Sequence, residues 1–407
     1  MQLSDVDLAN PDHYHSGPPH EMFALLRREA PVFWHPDHQT PGFWALTRHA
    51  DVVQVSKNPQ LFSAARRSVF LFESSEEDLG NLRMMLVNRD PPQHTKLRRM
   101  VSLGFTPRRI AMLEEKVRLR AAEIIDRVAA RGECDFVTDL AADLPLQVIA
   151  ELVGVPMEDR GRIFEWSNKL IGFDDPEYVG DREEQKRTAM DVYLYANQLA
   201  EQRRQQPTDD LTSVLMNGEV DGERLSEMEF DLFFLLLLVA GNETTRNAIS
   251  GGMLALIQHP AQRARLLADP GLIGTATEEI LRWVSPVNCF RRTVTQDTTI
   301  GAQPVREGDK VVMFYPAANR DELVFRDADT FDVGRTPNDH LAFGIGTHFC
   351  IGNALARLEI KVMFELMLRR LPDIELAGPV ERLRSSFING IKRMPVRFTP
   401  EGMRKAG

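Results

Sequence analysis

The sequence predicts an α-rich α+β fold in a single domain spanning residues 1–407. Helical periodicity, interrupted only by Pro and Gly, fills the stretch from about residue 108 to 285. Strand-like runs are short and confined to two regions near the ends. No internal repeat, low-complexity tract or linker divides the chain. Helices in the majority with small separate sheets define this class, although length alone would also allow two or three domains.

The elements can be justified in chain order. Val32-Phe33-Trp34 and Phe43-Trp44-Ala45-Leu46 are apolar runs bracketed by Pro and Gly, as strands of a small sheet are. One helix then stands out. Ser226 followed by Glu229 is a capping box, in which each side chain satisfies an orphan amide of the other residue. The apolar pattern runs on to Gln258, where His259-Pro260 stops it. From Ser226 to Gln258, at ~1.5 Å per residue, the rod is roughly 50 Å long. A rod this apolar belongs at the centre of a domain. Val311-Val312-Met313-Phe314 and Val396-Arg397-Phe398 complete the strand-like pieces.

Composition narrows the function. A net charge of −10 argues against general nucleic-acid binding, which depends on Lys and Arg. The three cysteines, Cys134, Cys289 and Cys350, form no CxxC pair and no even framework, which fits a reducing cytosol and a cytoplasmic protein. The first twenty residues carry Asp5, Asp7 and Asp12 and no signal-peptide core. The longest apolar run, Leu232 to Ala240, is nine residues, far short of the ~20 needed to span a bilayer, so no membrane anchor is expected.

The segment Phe343-Gly344-Ile345-Gly346-Thr347-His348-Phe349-Cys350-Ile351-Gly352 precedes a helical run from Asn353 to Leu371. A lone cysteine among apolar residues is ordinarily a buried small hydrophobe. Here three glycines let the backbone approach a flat ligand closely. Cys350 also falls near a helix start, where free amides and the dipole favour a thiolate. Such a thiolate, held beneath the aromatic Phe343, suits a metal.

This stretch resembles the haem-binding loop of cytochromes P450, whose pattern Phe-Gly-x-Gly-x-His/Arg-x-Cys-x-Gly is filled at every fixed position. The resemblance implies haem b (iron protoporphyrin IX) with Cys350 as axial iron ligand, in a fold with a long central helix and small β-sheets. Haem held by Cys thiolate is the arrangement that favours O–O cleavage in that family.

Other stretches extend the resemblance. Ala240-Gly241-Asn242-Glu243-Thr244-Thr245 is similar to the family's oxygen-activating motif. It implies that Thr244 donates a hydrogen bond to oxygen while Glu243 helps relay protons. Thr244 can also bond back to the carbonyl at 240 and open a groove. Glu279 and Arg282 match a buried pair behind the haem, and Phe331-Asp332-Val333-Gly334-Arg335 supplies Arg335 as its third member. The haem carboxylates are expected to meet His94, Arg98, Arg292 and His348, with Phe343, Gly344 and Ala240 also against the ring.

The implied activity is a monooxygenase reaction using O2 and electrons from NAD(P)H through a ferredoxin and its reductase, carried out by a monomer. Five basic residues and no acid between Pro91 and Leu113 (Lys96, Arg98, Arg99, Arg108 and Arg109) suggest a docking surface for an acidic ferredoxin. For the substrate, Val239, Val287 and Ile388 are candidate pocket residues, in addition to flanking segments about 64–88 and about 168–190. Several stretches, among them Val239 to Asn247 and Phe387 to Val396, are similar to actinobacterial steroid-side-chain hydroxylases. That favours a steroid or branched lipid, with a terpenoid or fatty acid as the alternative. A haem-thiolate sensor or a peroxide-driven peroxygenase would need neither Glu243 nor Thr244, and the intact pair disfavours both.

Overall fold

The computed structural model describes residues 1–37, 41–171, 175–177 and 182–403. Its axis is the helix Glu227–Gln258. The Ser226 hydroxyl accepts from the Glu229 amide at 3.2 Å, and a Glu229 carboxylate oxygen accepts from the Ser226 amide at 3.2 Å. A cap of this kind typically stabilises a helix by about 1 kcal/mol. Apolar residues surround the rod on nearly all sides because other helices do. Asp143–Val153, Arg160–Ile171, Arg182–Gln205, Ile273–Val284 and Asn353–Arg370 all pack on it. Close approach has a cost in side-chain volume. A Cβ at Gly241 would stand 2.6 Å from the Ile149 side chain. Gly241 therefore serves helix packing as much as it weakens the local ladder.

The strands gather into a five-stranded sheet of order Val32–His35, Phe43–Leu46, Lys310–Phe314, Cys289–Val294, Phe62–Ser63. Phe43–Leu46 runs parallel to Lys310–Phe314, with Ala45 opposite Val312, and the other pairs are antiparallel. A three-stranded sheet (Glu133–Asp135, Pro395–Arg397, Glu375–Leu376) and two hairpins complete the β content. The expected α-rich α+β class is the one observed, and every strand-like run falls on or beside a strand. Alternation along Cys289–Val294 matters most for function. Consecutive residues point to opposite faces, so Arg292 turns into a central cavity while Arg291 turns away to meet Glu73 at 2.9 Å. Among the described residues no helix is long and apolar enough to cross a membrane.

Candidate active site

The loop before helix Asn353–Arg370 is closed by the Cys350 amide, which donates to the Phe343 carbonyl at 2.9 Å. Gly346 has φ +75°, and a Cβ there would come within 2.6 Å of the Ser56 backbone oxygen. Both observations require glycine at that position. Cys350 faces a cavity bounded across from it by the central helix. Burial pushes its thiol pKa up, while the Gly352 amide and the charges of Arg98 and Arg357 act the other way and favour the thiolate.

Leu236, Leu237, Ala240, Gly241, Thr244 and Ala248 line the cavity from the helix Glu227–Gln258. At about 100° per residue these positions form one face. The Thr244 hydroxyl donates to the Ala240 carbonyl at 2.7 Å, which directs its lone pairs towards the cavity. In this arrangement Thr244 is an acceptor, and the expected donor role requires its hydroxyl to rotate. Glu243 lies about 100° from the mid-line of that face. It is 2% exposed, paired with Arg246 and bonded by Asn247 at 3.1 Å, and its second carboxylate oxygen is buried without a partner.

At one end of the cavity stand His94, Arg98, Arg292 and His348. The two imidazole rings are 4.3 Å apart. Burial, with the Arg98 charge and that of Arg292, lowers the His94 pKa to about 4. Burial and the charges of Arg292, His94 and Arg98 lower His348 to about 2. His94 Nδ1 and His348 Nε2 are buried without hydrogen-bond partners. Among the described residues no carboxylate pairs with Arg98 or Arg292. Four cationic or hydrogen-bonding groups without an anion at the edge of a cavity that presents a cysteine fit a flat dicarboxylate with a thiolate-bound metal. Haem has that chemistry.

Glu279 and Arg282 are both fully buried. Arg282 Nε and Nη2 donate to the two Glu279 oxygens at 2.7 and 2.8 Å. Arg335 Nε reaches the same carboxylate at 3.1 Å. The remaining Arg282 donors meet the carbonyls of Asn319, Ala328 and Thr330. The three residues linked by the sequence therefore meet, and they fix the strand-poor stretch that leads into the cysteine loop.

The model for cytochrome P450 matches residues 272–375, the region holding this triad and Cys350. A steroid C26-monooxygenase of Rhodococcus jostii is 42% identical over 96% of this chain and 84% of its own. A methyl-branched lipid omega-hydroxylase of Mycobacterium tuberculosis is 45% identical over 93% of this chain and 90% of its own. The chain belongs to the cytochrome P450 family. A Mycobacterium marinum cytochrome P450 solved with pseudoionone superposes with a TM-score of 0.90 at 40% identity, covering 98% of this chain and 99% of that one. The protein is thus a cytochrome P450 monooxygenase, an enzyme of the haem-thiolate class that uses O2 and acts on hydrophobic substrates.

The walls of this P450 cavity are apolar, with Leu86, Val87, Phe233, Val287 and Phe290 among them. Phe343, Gly344 and Ala240 also line it. Two expected pocket residues do not. Val239 is turned about 140° from the mid-line of the cavity face of its helix and is absent from the wall. Ile388 is 6% exposed and bridged through its backbone to Val287, and it is absent from the wall. Part of the expected segment about 168–190 lies outside the described residues.

The expected basic docking surface is also corrected. Lys96 pairs with Glu223, Arg99 with Asp221 at 2.6 Å and Arg109 with Asp209 at 3.0 Å, while Arg98 faces the cavity. Among the described residues, Arg108 alone of the five is exposed without an acidic partner. The neutralising acids come from a hundred or more residues away and escape a linear reading.

Sequence reasoning missed a second network beside the cysteine loop. Arg357 Nε and Nη2 donate to the Glu278 carboxylate at 2.7 and 2.9 Å, and Arg357 lies 4.5 Å from the Phe343 ring centroid. His340 Nε2 meets the same carboxylate at 3.1 Å. Glu359 was missed as well. It lines the cavity with one carboxylate oxygen unpartnered, and burial pushes its carboxyl well above the usual range. The only linear signals were the doubled glutamates at 278 and 279 and the placement of Arg357 two turns beyond Cys350.

Proposed function

We propose that this P450 binds haem b and hydroxylates an unactivated C–H bond of a steroid or methyl-branched lipid. The balanced reaction is RH + O2 + 2e⁻ + 2H⁺ → ROH + H2O. The observation that carries this reading is the cavity itself. Cys350 lies on one side, the Thr244 hydroxyl on the other, and apolar side chains between them. Bound haem would supply an iron centre that activates O2.

The chain's own residues have separable tasks. Cys350 would hold the iron as thiolate. His94, Arg98, Arg292 and His348 would receive the two ring carboxylates, and Phe343, Gly344 and Ala240 would contact the ring. Thr244 would accept and pass a hydrogen bond at the oxygen site. Glu243 is screened from the cavity by the helix itself, so it would act only when its bond to Arg246 opens towards water. The apolar walls exclude bulk water around the reacting carbon.

The substrate class is supported by the relatives that act on steroids and methyl-branched lipids over nearly the whole chain. The structure solved with pseudoionone supports the alternative of a terpenoid, with a fatty acid as a further possibility. Electrons would come from NAD(P)H through a ferredoxin and its reductase, to a cytoplasmic monomer. Val287 remains the candidate substrate contact from the sequence.

The test is a reconstituted assay with a surrogate ferredoxin, its reductase and NADPH. Steroids, methyl-branched lipids, terpenoids and fatty acids would each be scored for a type of spectral shift and for oxygenated product. Product from a steroid or branched lipid with matched NADPH consumption supports the reading. Product only from terpenoids or fatty acids transfers it to the alternative. Binding without turnover would indicate a sensor.

A further inference from the structure

The geometry points to Arg357 and Glu278 as a paired positioning device that sets the electron-donor strength of the Cys350 ligand and so the reduction potential of the haem. The inference rests on the haem-thiolate reading above.

The pair closes a circuit around the cysteine loop. Arg357 donates from Nη1 to the Asn353 side-chain oxygen at 2.8 Å. Asn353 Nδ2 in turn donates to the Cys350 carbonyl at 2.7 Å. The Cys350 amide donates to the Phe343 carbonyl, and the Phe343 ring lies under the Arg357 guanidinium. A cation over an aromatic face holds the ring by electrostatic attraction. On the other side of the pair, the Ala342 amide donates to His340 Nδ1 at 3.2 Å. That leaves the proton on Nε2, which donates to Glu278. Both ends of the loop, at 340–343 and at 350–353, are thus tied to one ion pair.

Position and charge then have separate consequences. The fork of Arg357 fixes the two ends of the loop, the arrangement by which outer groups orient a metal ligand. Its positive charge favours the more reduced, more negative centre, and the Glu278 charge offsets it. The Arg357 side chain is 33% exposed and that of Glu278 31%. Solvent therefore screens the effect only in part. Hydrogen bonding and local charge near the ligand are recognised levers on haem potential.

The two charges give the test a sign. In the haem-loaded enzyme, Glu278→Gln leaves Arg357 uncompensated, and the reduction potential should move positive of wild type. Arg357→Gln leaves Glu278 uncompensated, and the potential should move negative. Both shifts should grow at low ionic strength. Arg357→Lys keeps the charge but loses the fork, so its potential should stay nearer wild type than that of Arg357→Gln. Should Arg357→Gln not retain haem, the Glu278→Gln and Arg357→Lys pair decides the matter alone. A merely structural role would loosen the loop in every variant and move the potentials in one common direction. That outcome, or loaded variants at the wild-type potential, overturns the inference. A wild-type carbon monoxide complex without the thiolate-type band would instead overturn the underlying haem-thiolate reading.

Discussion

Glu278 and Glu279 are neighbours in sequence on the helix Ile273–Val284, yet their carboxylates bind two separate sets of partners beside the cysteine loop. The Glu279 carboxylate turns inward to Arg282 and Arg335 and is fully buried. The Glu278 carboxylate turns towards Arg357 and His340 and remains partly exposed. Rotation of about 100° per residue lets one turn of helix brace two separate approaches to Cys350.

The inner brace should be indispensable for folding. Glu279→Ala or Arg282→Ala leaves a buried charge uncompensated, at a cost of typically ~3–5 kcal/mol. Poor haem incorporation or insoluble protein is expected. Normal yields of haem-loaded mutant, measured by the haem-to-protein absorbance ratio, would show that the triad bears no such weight.

The outer brace should be visible in acid. Burial raises the Glu278 pKa, but hydrogen bonds from His340 and Arg357 and the Arg357 charge outweigh it and hold the carboxyl at about 2, below its ordinary 4.5. A depressed folded-state value means that the unfolded chain takes up the proton first as pH falls. The stabilisation is fully present above about pH 4.5 and fades as pH approaches 2. Urea unfolding of wild type and Glu278→Gln should show a stability gap that is constant above pH 5 and narrows below it. A gap that ignores pH would mean that the pair stabilises by packing alone.

Cys350→Ser should abolish the thiolate-type red-shifted Soret band of the reduced carbon monoxide complex, because a soft sulfur donor is lost. Retention of the band would assign the ligand to Cys134 or Cys289. Both are buried, and neither lines the cavity.

Thr244→Ala removes the cavity hydroxyl proposed to act at the oxygen site while leaving the cysteine loop and its surface intact. NADPH consumption should continue near the wild-type rate, with less hydroxylated product and more hydrogen peroxide. General acid–base positioning is typically worth ~100-fold or more, and a water at the vacated site reduces that loss. Unchanged product per NADPH would make Thr244 a structural residue.

Features encoded by adjacent residues were legible in the sequence. The central helix begins and ends where its cap and its proline place it, and the glycine spacing marked the cysteine loop. The Glu279–Arg282 pair was legible because i and i+3 share a helix face. Features made by distant residues were not. Nothing near Arg357 announces that Glu278, 79 residues away, will receive it. The acids that neutralise Lys96 and Arg99 are more remote still. Val239 was misplaced for a different reason. It is close to Thr244 along the chain but faces away from it around the helix.

That angular separation has a consequence for anyone who would diversify this enzyme. Positions 236, 237, 240 and 248 reshape the chamber directly, since each presents its side chain to the ligand space. Positions 239 and 243 lie on the reverse and the flank of the same rod, outside the cavity wall. A combinatorial library drawn around Thr244 by nearness in the chain would mix the two sets, disturbing the Glu243–Arg246 bond in clones intended only to change specificity. Drawn by rotation about the helix axis, it would vary the chamber and leave the far side of the rod as it was.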